Sequence, residues 1–280
     1  MIPDDFTFSQ HSLTDFNTCQ WRFYLRDLKR VAWPAAEMRN QAAADLRQEQ
    51  GVNFHLRAMQ YYSGLPAESL TGSSSDTDLE DWWSDFLKME QRLPFRTNAS
   101  SGWRLNPEMQ LSARLGNYRL TGKFDLLAVL PGAACQIYDW KTGSRPPARE
   151  ALENHPQTLL YRWLAVTAGG AALGLKPAAF TAEQVSMTYW YAGQPGTLIS
   201  LDYSAEQYQN DQADLLSLLD YINSLPEDGF RKTDDTRACR FCVYRSYCER
   251  GYQPGSADAA EESPLSVELP SWDEINPQEP

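Results

Sequence analysis

Four cysteines occupy the two ends of this chain: Cys19 lies in F-N-T-C-Q-W-R-F-Y-L, and Cys239, Cys242 and Cys248 form a C-x2-C-x5-C run. Thiolates at that spacing can face one ion or cluster, because a tight turn brings their sulfurs together. With Cys19 as the fourth ligand, the metal would clasp the two ends of the fold. Zinc and an iron–sulfur cluster both suit four thiols, although isolated zinc sites more often pair two C-x2-C knuckles. A second constellation lies mid-chain: Gly122-Lys-Phe-Asp125, followed by Ile137-Tyr-Asp139-Trp-Lys141. Two acids and a lysine converging at strand ends suit a divalent cation beside a phosphate. The carboxylates hold Mg2+ or Mn2+, and the lysine orients water or offsets developing charge. D-x-K by itself is equally compatible with a surface ion pair between Asp139 and Lys141.

These side chains need particular elements to position them. Asp139 and Lys141 share a face only if they stand two apart on a strand. Strand texture begins at Glu108. Asn117–Leu130 alternates or runs apolar, Pro131-Gly132 breaks it and Gln136–Lys141 follows, which predicts a β-hairpin. A helix over His155–Thr167 puts Gln157 and Tyr161 at i, i+4 on one face. A helix over about 41–60 carries His55 in G-x3-H, and Ser12-Leu-Thr-Asp15 reads as the start of the helix bearing Cys19. Thr71–Asp78 reads as a loop, Asp81–Glu90 has helical periodicity, Val185–Ala192 and Thr197–Tyr203 read as strands, and Ser204 caps a helix to about Ser224. A hairpin followed by helix and strand, flanked by helices, is a mixed α/β domain.

Composition narrows the setting. No stretch approaches the roughly 18 apolar residues of a membrane span, and Met-Ile-Pro-Asp-Asp lacks the features of a signal peptide, so a cytoplasmic protein without membrane partners is expected. Five cysteines in 280 residues make no disulfide scaffold, and Cys135 reads as a small buried hydrophobe. The net charge of −12 weighs against a nucleic-acid partner, yet residues 251–280 hold seven acids and no base, an acidic and disordered tail. Basic residues gather instead around the cysteines: Arg22, Arg26, Lys29 and Arg30, then Arg237, Arg240, Arg245 and Arg250. They read either as solvated helix faces or as a phosphate track. Gly116–Lys123 has the wrong spacing for a P-loop and no Ser or Thr after its lysine, which excludes an ATP-driven motor.

Taken in order, Cys19 before F-Y-L, Gly51-x3-His55, Gly122-x2-Asp125, Asp139-x-Lys141, Gln157-x3-Tyr161 and C-x2-C-x5-C resemble the motifs of the PD-(D/E)XK nuclease superfamily. The resemblance is to its iron–sulfur RecB/AddB-type branch, which includes the CRISPR-associated RecB-like exonucleases, and it spans about Ser12 to Arg250. Each motif is common, whereas six in sequence are specific. The resemblance implies a restriction-endonuclease-like mixed β-sheet core flanked by helices, with the N- and C-terminal segments joined by an iron–sulfur cluster. It implies one nuclease domain over 1–250, with its catalytic core at about 105–203. His55, Asp125, Asp139 and the Trp140 backbone carbonyl would ligate Mg2+ or Mn2+, and Lys141 would be the catalytic lysine. Gln157 and Tyr161 would line the active site, and Cys19, Cys239, Cys242 and Cys248 would hold a 4Fe–4S cluster. Glu108 fits an upstream acid of such proteins, without an assigned role. The implied activity is a metal-dependent deoxyribonuclease, an exonuclease on single-stranded DNA in repair, recombination or CRISPR-type defence, partnered by a helicase or by CRISPR or repair proteins. The alternative is a catalytically weak DNA-binding subunit of a helicase–nuclease complex. Arg22, Arg26, Arg240 and Arg245 would track DNA phosphates, and Trp21, Phe23, Tyr24 and Tyr161 would stack on bases or fill the core.

Overall fold

Apolar residues alternate in three long stretches between Arg104 and Lys141, and these stretches form the centre of one mixed sheet. The structure is a computed structural model describing residues 2–32, 42–72, 74–97, 102–142, 146–176, 179–194, 197–239 and 242–251. Arg240 and the expected acidic tail after Gly251 lie outside the described residues. In chain order the elements are β1 (Thr7–Ser9), α1 (Gln10–Thr18), α2 (Gln20–Phe23), a π-helical turn at Tyr24–Leu28, α3 (Ala42–Tyr62), α4 (Ala67–Leu70), α5 (Thr77–Glu90) and α6 (Pro94–Thr97). There follow β2 (Arg104–Leu115), β3 (Tyr118–Leu130), β4 (Ala134–Lys141), α7 (Arg149–Glu153), α8 (Pro156–Ala172), β5 (Val185–Tyr191), β6 (Leu198–Asp202) and α9 (Ala205–Ser224). The strand order is β1-β3-β4-β5-β6, with β2 on the other edge of β3. β1 and β5 run parallel to their neighbours β3 and β4, and the remaining pairs are antiparallel.

Most elements expected from the sequence are present, with three differences. Cys19 is not on a helix but in extended backbone (φ −162°, ψ 109°) between α1 and α2. The first helix is capped by Ser9 rather than Ser12. The Ser9 hydroxyl accepts from the Ser12 N–H (3.2 Å), and the Ser12 hydroxyl accepts from the Ser9 N–H (2.9 Å), a capping box made by two serines. Asp15, read as part of the cap, is instead buried. Strand β1, three residues long, is too short to leave a periodic signal. Among the described residues no helix is long and apolar enough to cross a membrane.

Two cores cover the sheet, one on each face. α1, α8 and α9 pack on one face through residues such as Leu13, Leu160, Leu164 and Leu219, where Cys135 is also fully buried. α3 and α5 pack on the other through Phe54, Trp83 and Phe86 against Trp140 and Trp190. Edge-to-face and stacked pairs among these rings add about 0.5–1.5 kcal/mol each beyond area burial.

The α8–β3 contact is the one that positions chemistry. α8 starts at His155, whose Nδ1 accepts from the Gln157 N–H, with Pro156 in the first turn. Its Tyr161 and Leu164 lie directly over Gly122, where a Cβ would stand 2.9 Å from Tyr161 Cε1 and 2.9 Å from Leu164 Cδ1. Both neighbours are buried and cannot retreat. Gly122→Ala should therefore cost about 1–3 kcal/mol in denaturant unfolding, and an unchanged midpoint would show that α8 is not seated as tightly as described.

Candidate active site

One edge of β3 pairs with β2 along nearly its whole length. The other edge is shared: β1 takes residues 119–121 and β4 takes residues 126–130. Gly122–Asp125 therefore face a gap where β1 and β4 part, and backbone polar groups in such a gap need other partners. The Tyr161 hydroxyl donates to the Lys123 carbonyl at 2.5 Å. The Trp140 N–H donates to Asp125 Oδ2 at 2.7 Å, one side chain beyond the last backbone rung, Leu126–Tyr138. The N–H and C=O of a strand residue project to the same edge, so the Trp140 carbonyl also turns towards the gap.

The rung at the gap is irregular in both strands. Glu108 stands opposite Asp125, between the pairs Pro107–Leu126 and Met109–Phe124, and has φ +53°, the left-handed region that costs a non-glycine residue about 1–3 kcal/mol. The inside–outside alternation slips here. Leu120 and Phe124 belong to the α8-side core, whereas Leu126 and Ala128 belong to the α3-side core. In β2, Leu111 and Leu115 contrast with Leu105 in the same way. The slip brings both acids of the rung towards His55 on α3. Ligand atoms of His55, Glu108 and Asp125 lie within 4.8 Å of one another, and His55 Nδ1 is 3.2 Å from Asp125 Oδ1. One imidazole and two carboxylates form a donor set suited to Mn2+ or Mg2+.

Asp139, Lys141 and Gln157 form a closed triangle on the α8 side. Gln157 Nε2 donates to Asp139 Oδ1 (2.6 Å), Lys141 Nζ donates to Gln157 Oε1 (2.8 Å), and Lys141 Nζ lies 2.9 Å from Asp139 Oδ2. The Lys141 ammonium also stands 5.8 Å from the ring centre of Tyr189, whose hydroxyl is 2.7 Å from that of Thr158. Burial pushes the Asp139 carboxyl up to about 6; Lys141 opposes this and the Asp125 charge adds to it. Glu108 is also raised, by burial and then by Asp125, with Lys123 and His55 opposing. Burial would raise Asp125, but the His55 charge and hydrogen bond, the Trp140 N–H and Lys141 together hold it below the ordinary range. Burial pulls His55 down, and the charges of Asp125, Asp139 and Glu108 outweigh it, leaving the imidazole raised.

The structure thus brings His55, Asp125, Asp139, Trp140, Lys141 and Gln157 together at the parting of β3 and β4. It adds Glu108, which carried no role in the sequence reading because its backbone strain has no sequence signature. Asp139 stands beside the His55–Glu108–Asp125 group, its two oxygens engaged by Gln157 and Lys141. Of the two readings of Tyr161, the structure has the one in which it fills the core. It is 2% exposed, packs on Phe124 at 4.4 Å and spends its hydroxyl on Lys123, so it braces the site from behind and cannot stack on a base. Phe23 is likewise fully buried, while Trp21 and Tyr24 stack on each other at 5.0 Å. Of the arginines expected along the DNA, Arg22 and Arg26 pair with buried Asp15 at 2.5 and 3.3 Å, with side chains 21% and 36% exposed, and Arg245 is buried.

Cys19, Cys239, Cys242 and Cys248 line one cavity together with Trp21, Arg22, Tyr244 and Arg250. The two chain ends meet there through hydrogen bonds: Trp21 N–H to the Arg231 carbonyl (3.0 Å), Arg231 N–H to Gln20 Oε1 (3.1 Å) and the Tyr244 hydroxyl to the Val31 carbonyl (3.1 Å). Arg250 Nη1 donates to Cys239 Sγ at 3.1 Å. Burial raises the Cys242 and Cys248 thiols.

No curated protein matches this chain. Among solved structures, a "Putative exonuclease" from Eubacterium rectale shares 10% identity over 90% of this chain and 91% of its own, with a TM-score of 0.51, a likeness of fold. The structure of SSO0001 shares 12% identity over 89% and 88%, with a TM-score of 0.37. The family model of the PD-(D/E)XK nuclease superfamily matches residues 7–249, a stretch that contains every element of the site described above. This chain belongs to the PD-(D/E)XK nuclease superfamily.

Proposed function

We propose that this nuclease is a Mg2+- or Mn2+-dependent deoxyribonuclease that acts as an exonuclease on single-stranded DNA. The observation that carries the reading is the Asp139–Lys141–Gln157 triangle standing across the β3–β4 gap from the His55–Glu108–Asp125 group. A divalent cation at these donors supplies Lewis acidity at the scissile phosphate. The residues supply position. Gln157 locks Asp139 and Lys141 to one geometry, Asp139 pairs with the lysine, and Lys141 offers an ammonium where negative charge builds on the phosphate. The exonuclease assignment follows the motif resemblance and the fold shared with the Eubacterium rectale protein. End-labelled and circular single-stranded DNA in Mn2+ test it: cleavage of linear strands alone is expected, and cleavage of circles would make the enzyme an endonuclease.

In this reading residues 1–250 act as one nuclease domain in a reducing, intracellular setting, serving repair, recombination or CRISPR-type defence beside a helicase or CRISPR proteins. The four cysteines hold a 4Fe–4S cluster with a structural role. Their fit rests on four cysteines lining one cavity, an arginine donating to the sulfur of one of them, and a setting where chain ends more than two hundred residues apart already touch.

Asp125→Asn or Lys141→Met should lower cleavage by about 10²-fold or more, and Lys141→Met should leave Mn2+ affinity nearly intact. Loss of metal binding in the lysine variant would place Lys141 in a structural role. Cleavage and Mn2+ affinity should both rise as pH climbs through about 6, because the raised groups Asp139, Glu108 and His55 hold protons at low pH that the cation must displace. Calorimetric titration between pH 5 and 8 checks the sign; affinity that falls with pH would contradict it. Cys19→Ser should first lower iron content and thermal stability, with activity lost only as a consequence. A fully folded, iron-replete but inactive Cys19→Ser protein would overturn the structural role.

A further inference from the structure

Each carboxylate of the site is matched to a basic side chain. Asp125 pairs with His55 at 3.2 Å, Asp139 with Lys141 at 2.9 Å and Glu108 with Lys123 at 2.6 Å. The three pairs are not equally fixed. Lys141 has a side chain only 14% exposed and is held by Gln157 as well as Asp139. Lys123 is the outermost member, with a side chain 36% exposed, and its partner Glu108 is one of the three residues that can hold an ion. It stands two residues before Asp125 on β3, on the same edge of the gap.

We propose that Lys123 is an exchanging counter-ion. In the ion-free protein it neutralises Glu108. When a divalent cation takes His55, Glu108 and Asp125, the ammonium is displaced from Glu108 and binds a phosphate of the DNA strand. Three physical points lead there. The Glu108 oxygen that faces Lys123 belongs to a carboxylate the cation also needs, and a dication attracts that carboxylate about twice as strongly as an ammonium at equal distance. An ammonium on a flexible four-carbon stem can move while its backbone stays in the sheet. Its position at the mouth of the site leaves it beside the path of any strand that reaches Lys141. Metal entry and strand binding thereby become linked, since each removes one partner of the ion-free pair.

The second half rests on the nuclease reading; the first does not. The experiment uses Lys123→Gln with Lys123→Arg as the charge-keeping control, and Lys123→Met in place of Gln if that variant melts early. Mn2+ alone is titrated by calorimetry without DNA. The Gln variant should bind it about two- to five-fold more tightly, the range expected from losing a competing exposed ion pair. Unchanged or weaker Mn2+ affinity would overturn the exchange. A labelled single-stranded oligonucleotide is then bound in Ca2+ at several salt concentrations. The Gln variant should bind more weakly, with a salt slope smaller by about 1, and the Arg variant should retain the wild-type slope. An unchanged slope in the Gln variant would overturn the phosphate contact while leaving the nuclease reading intact. Failure of the wild-type protein to bind DNA would overturn both the contact and that reading, with the Mn2+ result still standing.

Discussion

The hydrogen bond from the Trp140 N–H to the Asp125 carboxylate is the contact on which the site depends. β3 can pair with either β1 or β4 along this edge but not with both at one place, so the sheet has to open between them. An open sheet exposes unsatisfied backbone groups, each costing about 1–3 kcal/mol if buried without a partner. Two side chains close that deficit: Asp125 takes the Trp140 N–H, and Tyr161 serves the Lys123 carbonyl. Because Asp125 is anchored to β4 by one oxygen and faces α3 by the other, it couples two groups from opposite sides of the sheet. Without that anchor, His55 and Glu108 on one side and Asp139, Lys141 and Gln157 on the other would be separate features.

The electrostatics follow from the same opening. Three carboxylates near one another in a mostly dry cleft would repel and resist ionisation, and the raised Asp139 and Glu108 groups record this. Asp125 alone is lowered, since it has the Trp140 N–H in addition to His55 and Lys141. The site is thus divided between one carboxylate kept charged by its hydrogen bonds and two that retain protons more readily. Such a site is destabilising in isolation. Its cost is offset by the two cores that flank it, and the fully buried Trp140 ring anchors in the α3-side core the strand that carries Asp139 and Lys141.

The sequence carried the parts of this arrangement that are periodic or contiguous. The β3–β4 hairpin, the i, i+4 relation of Gln157 and Tyr161 and the Ser204 cap of α9 are local, and the structure contains each of them. Orientation was less legible. Gln157 and Tyr161 do share a face, but Tyr161 sits one turn deeper, over Gly122, and becomes a brace. The arginines around Cys19 are countable from sequence, yet only tertiary structure reveals that buried Asp15 consumes two of them. Glu108 is the clearest case. Nothing in Asn106-Pro-Glu108-Met marks a positive φ, because the strain is imposed by the rung opposite Asp125 and not by local propensity.

That strain and the slip in alternation have one cause. A regular antiparallel pair would send Phe124 and Leu126 to the same face and Asp125 to the other, leaving Asp125 and Glu108 directed to one side only. Here Phe124 packs with α8 and Leu126 with α3, so the rung between them is turned and its two carboxylates are brought to the opening. The apolar residues on either side fix the turn, since each must reach a different core. The two cores therefore do more than stabilise the sheet: by drawing adjacent segments of β2 and β3 to opposite faces, they hold Glu108 in a conformation that it would leave if either core were lost.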